Sequence, residues 1–153
     1  MNKAFVKEDD DGPVERLPDR AASAHPNLVT TEGLALIDEM IATLNQEHAA
    51  AKVADDVHAL ARIARDLRYW TSRQATAQLT DLPPKGTVQF GSTVTFRRAD
   101  GRKQAFRIVG IDEANPSQGT LSYISPVAQA LLGRGIGDEV QIGAANAEII
   151  DVS

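Results

Sequence analysis

The sequence predicts an α+β protein in which a helical hairpin precedes a small antiparallel sheet that carries one short helix. In the first half, apolar residues recur every three or four positions, as on one face of a helix. Pro83 and Pro84 interrupt this pattern, and apolar residues alternate after them, as in half-buried strands. The predicted domains are an acidic tail (1–27), a short antiparallel coiled coil (28–82) and a sheet domain (83–153).

Composition excludes several classes of protein. The 153 residues carry a formal net charge of −5, which argues against coating nucleic acid by bulk positive charge. The absence of Cys excludes disulfide scaffolds and thiolate chemistry, and His25, His48 and His58 are too scattered to predict a metal site. No apolar run reaches the ~20 residues of a membrane span, and the start lacks a signal-peptide core. We therefore expect a soluble cytoplasmic protein.

The first 27 residues have the composition of a tail. Glu8 and the three aspartates at 9–11 stand among several prolines, with few large apolar side chains. Such a segment cannot bury enough surface to offset the entropy lost on ordering. We expect it to be disordered, either solvated or docked on a partner.

Two helices are predicted before the proline pair. Thr30 or Thr31 is the expected N-cap of the first, with Glu32 in its first turn. No Gly or Pro separates the helices, so one long helix is the alternative, whereas a cap at Asp55 or Asp56 favours a hairpin. Each helix would have roughly 20–25 residues and be ~30–37 Å long. The predicted seams are Leu34, Ile37, Ile41, Leu44, His48 and Ala51 in the first helix, and Val53, Val57, Leu60, Ala64 and Leu67, widened by Ile63 and Trp70, in the second.

The second half alternates strand patterns with turn signals. Gly91 predicts a bend in the first strand, and Ser125 and Pro126 predict the capped start of a short helix that Gly133 ends. A hairpin turn is expected at 99–101. The expected strands are 88–96, 104–110, 120–124, 139–142 and 146–152.

Several segments in this half carry a family resemblance. They are FGSTVTF (90–96), FRIVGIDEA (106–114), ISPVAQALLG (124–133) and GDEV (137–140), preceded far upstream by TTEGL (30–34). In this order they closely resemble the bacterial Gre transcript-cleavage factors, GreA and GreB, over about residues 28–152.

The resemblance implies an FKBP-like C-terminal domain that docks at the rim of the RNA polymerase secondary channel, and a coiled coil that enters the channel. It also implies that acidic residues at the tip help to hold the polymerase's second Mg²⁺. The polymerase's own site would then cleave backtracked RNA, because a second ion stabilises the attacking and leaving oxygens. The factor itself, expected to be a monomer, would be no enzyme and have no cofactor of its own, only a shared Mg²⁺.

The predicted tip departs from the family pattern. Residues 45–56 contain nothing like the acidic segment GDLSENAEY, and the coiled coil is about 20 residues shorter, or ~15 Å as a hairpin. The candidate tip carboxylates are Glu47, Asp55 and Asp56, although an Asp here can equally serve as a helix cap. The shortening resembles the regulator of nucleoside diphosphate kinase. The alternative function is therefore polymerase binding without cleavage.

Two further surfaces are candidates for contacts. Arg62, Arg65, Arg68 and Arg73 are predicted to form a basic strip that faces RNA in the channel, as a similar patch does in the Gre family, or else an ordinary solvated face. By resemblance, Ile124, Ser125 and Pro126 occupy the loop that touches the polymerase. An FKBP-like fold also suggests a prolyl isomerase, but this half has only Phe90, Phe96, Phe106 and Tyr123, and several of them are needed for the core rather than for an aromatic-lined pocket.

Overall fold

The computed structural model describes residues 16–153. The acidic run at 8–11 therefore lies outside the described residues. The secondary-structure elements of the described residues are β1 (Leu28–Val29), α1 (Thr31–Val53), α2 (Val57–Thr76), β2 (Gln78–Leu79), β3 (Thr93–Arg98), β4 (Lys103–Val109), a 3₁₀ turn (Pro116–Gln118), β5 (Thr120–Ser122), α3 (Pro126–Leu131), β6 (Glu139–Ile142) and β7 (Ala145–Val152). The α+β prediction is confirmed.

The described chain packs as two compact units. One contains residues 16–24 and 37–75, and therefore most of both long helices. The other contains residues 25–36 and 76–153, and therefore the first turns of α1 and the whole sheet. The segment just before α1 thus belongs with the sheet, although the sequence pattern placed the coiled-coil boundary at residue 28.

The two long helices form an antiparallel hairpin rather than one continuous helix. Gln74 Nε2 donates a 2.7 Å hydrogen bond to Asp38 Oδ1, which places the end of α2 beside the start of α1. The buried apolar residues of each helix are seven positions apart, as in a coiled-coil seam. They are Ile37, Leu44 and Ala51 in α1, and Ile63 and Trp70 in α2.

The predicted seam of the second helix is partly wrong. Val53 is 90% exposed and Val57 is 41% exposed. Val53 still belongs to α1, and Val57 opens α2 six residues before Ile63. Six residues amount to a rotation that leaves Val57 about 120° around the helix from Ile63, so the two side chains cannot share one buried stripe.

The C-terminal sheet has five strands in the order β5-β4-β3-β7-β6. All neighbouring strands are antiparallel except β4 and β5, where Ile108 pairs with Leu121 in parallel. The predicted sheet was wholly antiparallel. The difference arises because the chain crosses back through residues 110–119, including the 3₁₀ turn, before it enters β5 in the same direction as β4.

The core of this unit lies between the sheet and α3. Ser125 Oγ accepts a hydrogen bond from the Ala128 amide at 3.3 Å, and Pro126 occupies the first turn, as predicted. Ala128 and Leu131 are fully buried. The other side chains buried to the same degree in the core are Val94, Phe96, Ile108 and Ile149.

A carboxylate from the loop after β4 holds the start of α1. Glu113 Oε2 accepts hydrogen bonds from the Thr30 amide at 3.0 Å and the Gly110 amide at 3.1 Å, while Oε1 accepts from the Thr30 hydroxyl. The same hydroxyl accepts from the Gly33 amide at 3.0 Å, which makes Thr30 the N-cap. Beside this contact, β1 and β2 pair in parallel through Val29 and Leu79.

Substitution of Gly33 tests the contact between Glu113 and the start of α1. Gly→Ala within a helix normally stabilises by about 1 kcal/mol. Here the new Cβ would lie 2.1 Å from Glu113 Oε2, so the carboxylate must move and lose its hydrogen bonds. We expect Gly33→Ala to lower the free energy of unfolding by about 1–3 kcal/mol, measured by urea denaturation.

The control is the same substitution in a Glu113→Ala background, where no carboxylate is displaced. There Gly33→Ala should be neutral or stabilising. A destabilisation of equal size in both backgrounds would contradict the role assigned to Glu113.

Candidate functional site

The turn between α1 and α2 brings the candidate tip aspartates together. The Asp55 amide donates to the Lys52 carbonyl at 3.2 Å, and the Asp56 amide donates to the Ala51 carbonyl at 3.0 Å. This is the Schellman pattern that ends many helices. Its left-handed position is usually Gly, but here Asp55 occupies it with φ 55°. The helix therefore ends without Gly or Pro because Asp tolerates this conformation better than most residues.

Asp56 is used by the next helix. Its Oδ1 accepts a 3.1 Å hydrogen bond from the Ala59 amide, and its carbonyl accepts from the Leu60 amide at 3.0 Å. Asp56 is thus the N-cap of α2, the alternative role that the sequence left open. The Asp55 side chain is exposed and belongs to no such cap.

Glu47 does not join the two aspartates at the turn. It is exposed on α1, six residues before the helix ends at Val53, which is ~9 Å along the helix axis. Within residues 16–153, no group of three or more His, Asp or Glu side chains is arranged to hold a metal ion. His48 is half-buried and lines an apolar groove of about 480 Å³ with Lys52 and Leu60.

The four arginines of α2 do not form one exposed strip, which corrects the sequence prediction. Arg62 is exposed, and Arg65 pairs with Asp66 at 3.0 Å. Arg68 is half-buried, and Arg73 is only 4% exposed. Arg62 and Arg73, eleven residues apart, lie within about 20° of each other around the helix, so angular position alone does not set the exposure of these arginines.

Residues 16–20 lie along α2, where the sequence predicted part of a disordered tail. Arg68 Nε donates to Asp19 Oδ1 at 2.6 Å, and Arg68 Nη2 donates to the Leu17 carbonyl at 2.8 Å. The Arg20 guanidinium lies 4.0 Å from the centre of the Tyr69 ring. The entropy lost when residues 16–20 are ordered is offset by ion pairs and a cation–π contact, and composition alone does not reveal such contacts.

The hydrogen bond from Arg68 lowers the pKa of Asp19 below its ordinary value. A lowered pKa means that the ionised form is favoured by the contact. The contact is therefore complete above the ordinary pKa of Asp and weakens as the pH falls through the lowered value.

The predicted docking loop precedes α3. Ile124 and Ser125 are half-buried, and Pro126 is exposed. The Ile124 amide donates to Ser122 Oγ at 3.3 Å, and Gln129 Nε2 donates to the Tyr123 carbonyl at 2.7 Å. Together with the Ser125 cap, these bonds fix the backbone on both sides of Ile124. The loop is thus a rigid surface with one apolar side chain.

Sequence reasoning missed two sets of residues. Glu113 lies within the segment FRIVGIDEA, where nothing local indicates a partner, and its contact partner Thr30 lies 83 positions earlier. Asp19 and Arg20 lie in the segment predicted to be a disordered tail, and no sequence signal singles them out from its other charged residues. Both sets act through contacts that no local pattern encodes.

Comparison with known proteins finds a family match for the C-terminal part of the chain. The family described as "Transcription elongation factor, GreA/GreB, C-term" matches residues 83–153. The transcription elongation factor GreA of Desulfovibrio desulfuricans is 45% identical over 94 residues, which cover 57% of this chain and 58% of the relative. GreB of Pasteurella multocida is 40% identical over 85 residues, which cover 54% of each. The chain therefore spans little more than half the length of these relatives.

Solved structures match most of the chain at low similarity. GreA factor homolog 1 of Thermus thermophilus is 18% identical, and the match covers 84% of this chain and 99% of that one with a TM-score of 0.42. A GreA/GreB factor from Nitrosomonas europaea is 22% identical and covers 83% and 98%, also with a TM-score of 0.42. At this score the superpositions carry no functional argument. None of the helices in residues 16–153 is long and apolar enough to cross a membrane.

The two tip aspartates should respond oppositely to substitution. Asp55→Gly removes the strain of the left-handed position and should raise the free energy of unfolding by about 0.5–1 kcal/mol. Asp56→Ala removes the cap and should lower it by about 1 kcal/mol. Urea denaturation followed by the fluorescence of Trp70, the single Trp, measures both because this residue lies in the same unit.

Asp56→Ser is the matched control, because Ser also caps helices and should leave the stability close to wild type. Equal losses in Asp56→Ser and Asp56→Ala would contradict the capping role.

Proposed function

Because residues 83–153 match the GreA/GreB family, we propose that this chain is a transcription elongation factor of that family and that it binds bacterial RNA polymerase at the secondary channel. The observation that carries the proposal is the family match, which spans the sheet and α3. The relatives GreA and GreB are themselves transcription elongation factors. Binding in the channel is what the family resemblance implies.

The proposed dock is the loop that leads into α3. Ile124 offers an apolar contact, and the capped helix start holds it in place without further ordering. A contact residue on a rigid backbone loses little entropy when the complex forms. Pro126, exposed and fixed in φ by its ring, extends this surface.

The helical hairpin is the proposed part that enters the channel. Asp55 would present one exposed carboxylate at its turn, and carboxylate oxygens are suitable ligands for Mg²⁺. Any RNA cleavage would be the work of the polymerase's active site and its Mg²⁺, so the factor is not an enzyme and needs no cofactor of its own. Its partners would be RNA polymerase and, through the channel, nascent RNA.

A second candidate function is regulation without cleavage. Asp56 is engaged as a helix cap, and Glu47 lies ~9 Å back along α1, so the turn offers a single uncommitted carboxylate. A second catalytic metal needs more than one anionic ligand in many two-metal sites. The short hairpin would then occupy the channel and exclude other factors.

Polymerase binding is tested by Ile124→Glu in the full chain. A buried charge at the dock should weaken binding to bacterial RNA polymerase at least about tenfold, since an unpaired charge at an interface is costly. Fluorescence anisotropy of the labelled factor measures the affinity, and circular dichroism checks the fold.

Ile136→Glu is the control, because Ile136 is in the same unit and is 61% exposed. It should bind as wild type does. Absence of binding by the wild type would sink the proposed function, and equal weakening in both variants would remove Ile124 from the dock.

Cleavage is tested on backtracked polymerase complexes with Asp55→Asn and Asp56→Ser. If the hairpin supplies a carboxylate, Asp55→Asn should reduce transcript cleavage about tenfold or more, while Asp56→Ser keeps the cap and should retain most activity. Gel analysis of the shortened RNA measures the rate. Wild-type binding without any cleavage would select the non-cleaving regulator.

A further inference from the structure

Residues 16–20, called here the N-terminal strap, cover one face of α2. Arg68 is held from two directions, by the Asp19 carboxylate at 2.6 Å and by the Leu17 carbonyl at 2.8 Å. Both are hydrogen-bond acceptors placed where a phosphate oxygen would otherwise bind a guanidinium. The strap therefore occupies the anion-binding side of Arg68.

The strap also covers the neighbouring aromatic residue. The guanidinium of Arg20 lies 4.0 Å from the Tyr69 ring centre and 5.9 Å from the Trp70 ring centre, and it pairs with Asp66 at 3.5 Å. Single-stranded nucleic acids bind through phosphate contacts to guanidinium groups and base stacking on aromatic rings, and Arg20 lies over the Tyr69 ring where a base would stack. Arg68 and Tyr69 are adjacent on α2, so a single strand could use both if the strap were displaced.

The contacts of the strap are of a kind that a polyanion can replace. The side chain of Asp19 is 64% exposed and that of Arg20 is 39% exposed. Ion pairs at this exposure are weak and are screened by salt. A strand of phosphates gains in addition from the release of its counterions, which a single carboxylate does not.

We propose that the N-terminal strap is an intramolecular competitor that must leave Arg68 and Tyr69 before single-stranded RNA binds this face of α2. The inference rests on the proposed function for the source of the RNA, which would be the transcript in the polymerase channel. The strap therefore raises the concentration of RNA that is needed for that contact. It favours RNA that is held close by the polymerase over RNA that is free in solution.

The test uses the full chain with Asp19→Ala and Arg20→Ala combined. This double variant removes one acid and one base, so the net charge stays at −5 and bulk electrostatics do not change. The probe is a fluorescein-labelled single-stranded RNA of about ten nucleotides, titrated at fixed salt and followed by anisotropy. We expect the double variant to bind this RNA about 3–10-fold more tightly than wild type, as the loss of a few weak contacts would allow.

The matched control is Asp100→Ala combined with Arg102→Ala. This exposed pair, 2.7 Å apart in the turn between β3 and β4, also removes one acid and one base. It should bind RNA as wild type does. Adding Arg68→Ala to the strap variant should abolish the gain in affinity, because the uncovered guanidinium is then missing.

Trp70 gives a readout that does not depend on RNA affinity. It is the single Trp of the chain, and Arg20 lies close to its ring. The strap variant should shift its emission, and saturating RNA should shift wild type in the same direction.

The inference is overturned if the strap variant binds RNA no more tightly than wild type, or if the control pair gains equally. RNA binding is measured on the free factor and polymerase binding separately. A result against the proposal for the strap can therefore be distinguished from a result against the proposed function.

Discussion

The contact between the Glu113 carboxylate and the first turn of α1 determines where the helical hairpin begins. The first amides of a helix have no partner within the helix, and here Thr30 and one distant carboxylate supply the acceptors. The carboxylate fits only because residues 33 and 110 are glycines: a Cβ at Gly33 would overlap the Glu113 carboxylate, and one at Gly110 would lie 2.9 Å from Glu113 Oε2. An acid and two glycines, far apart in the sequence, are thus one structural unit.

The opposite end of the hairpin is built by two aspartates with different structural roles. Asp55 supplies a left-handed backbone, and Asp56 supplies a cap. The chain therefore turns in three residues without Gly or Pro. This use of Asp56 limits what the turn can offer a metal, because the hydrogen bond from the Ala59 amide occupies Oδ1 and fixes the orientation of the carboxylate.

The arginines of α2 illustrate why a charge pattern does not define a surface. Arg62 is exposed, Arg65 pairs with its neighbour, Arg68 holds the N-terminal strap and Arg73 is buried. A helical repeat of charges predicts their angular positions, but the partners come from elsewhere in the chain. The exposed basic surface of α2 is therefore smaller than the sequence suggested, and contacts from residues 17–20 cover part of it.

What the sequence determined by itself was local. Helix caps such as Ser125, the hairpin turn at Gly101 and the change in apolar period after Pro84 depend on residues within about four positions of one another, so they could be predicted together with the family resemblance. The parallel pairing of β5, the contact of Glu113 with Thr30 and that of Asp19 with Arg68 join residues that are distant in the chain. Only the tertiary structure decided these, because such pairs form when the path of the backbone and the burial of other groups bring them together, and no local propensity specifies that path.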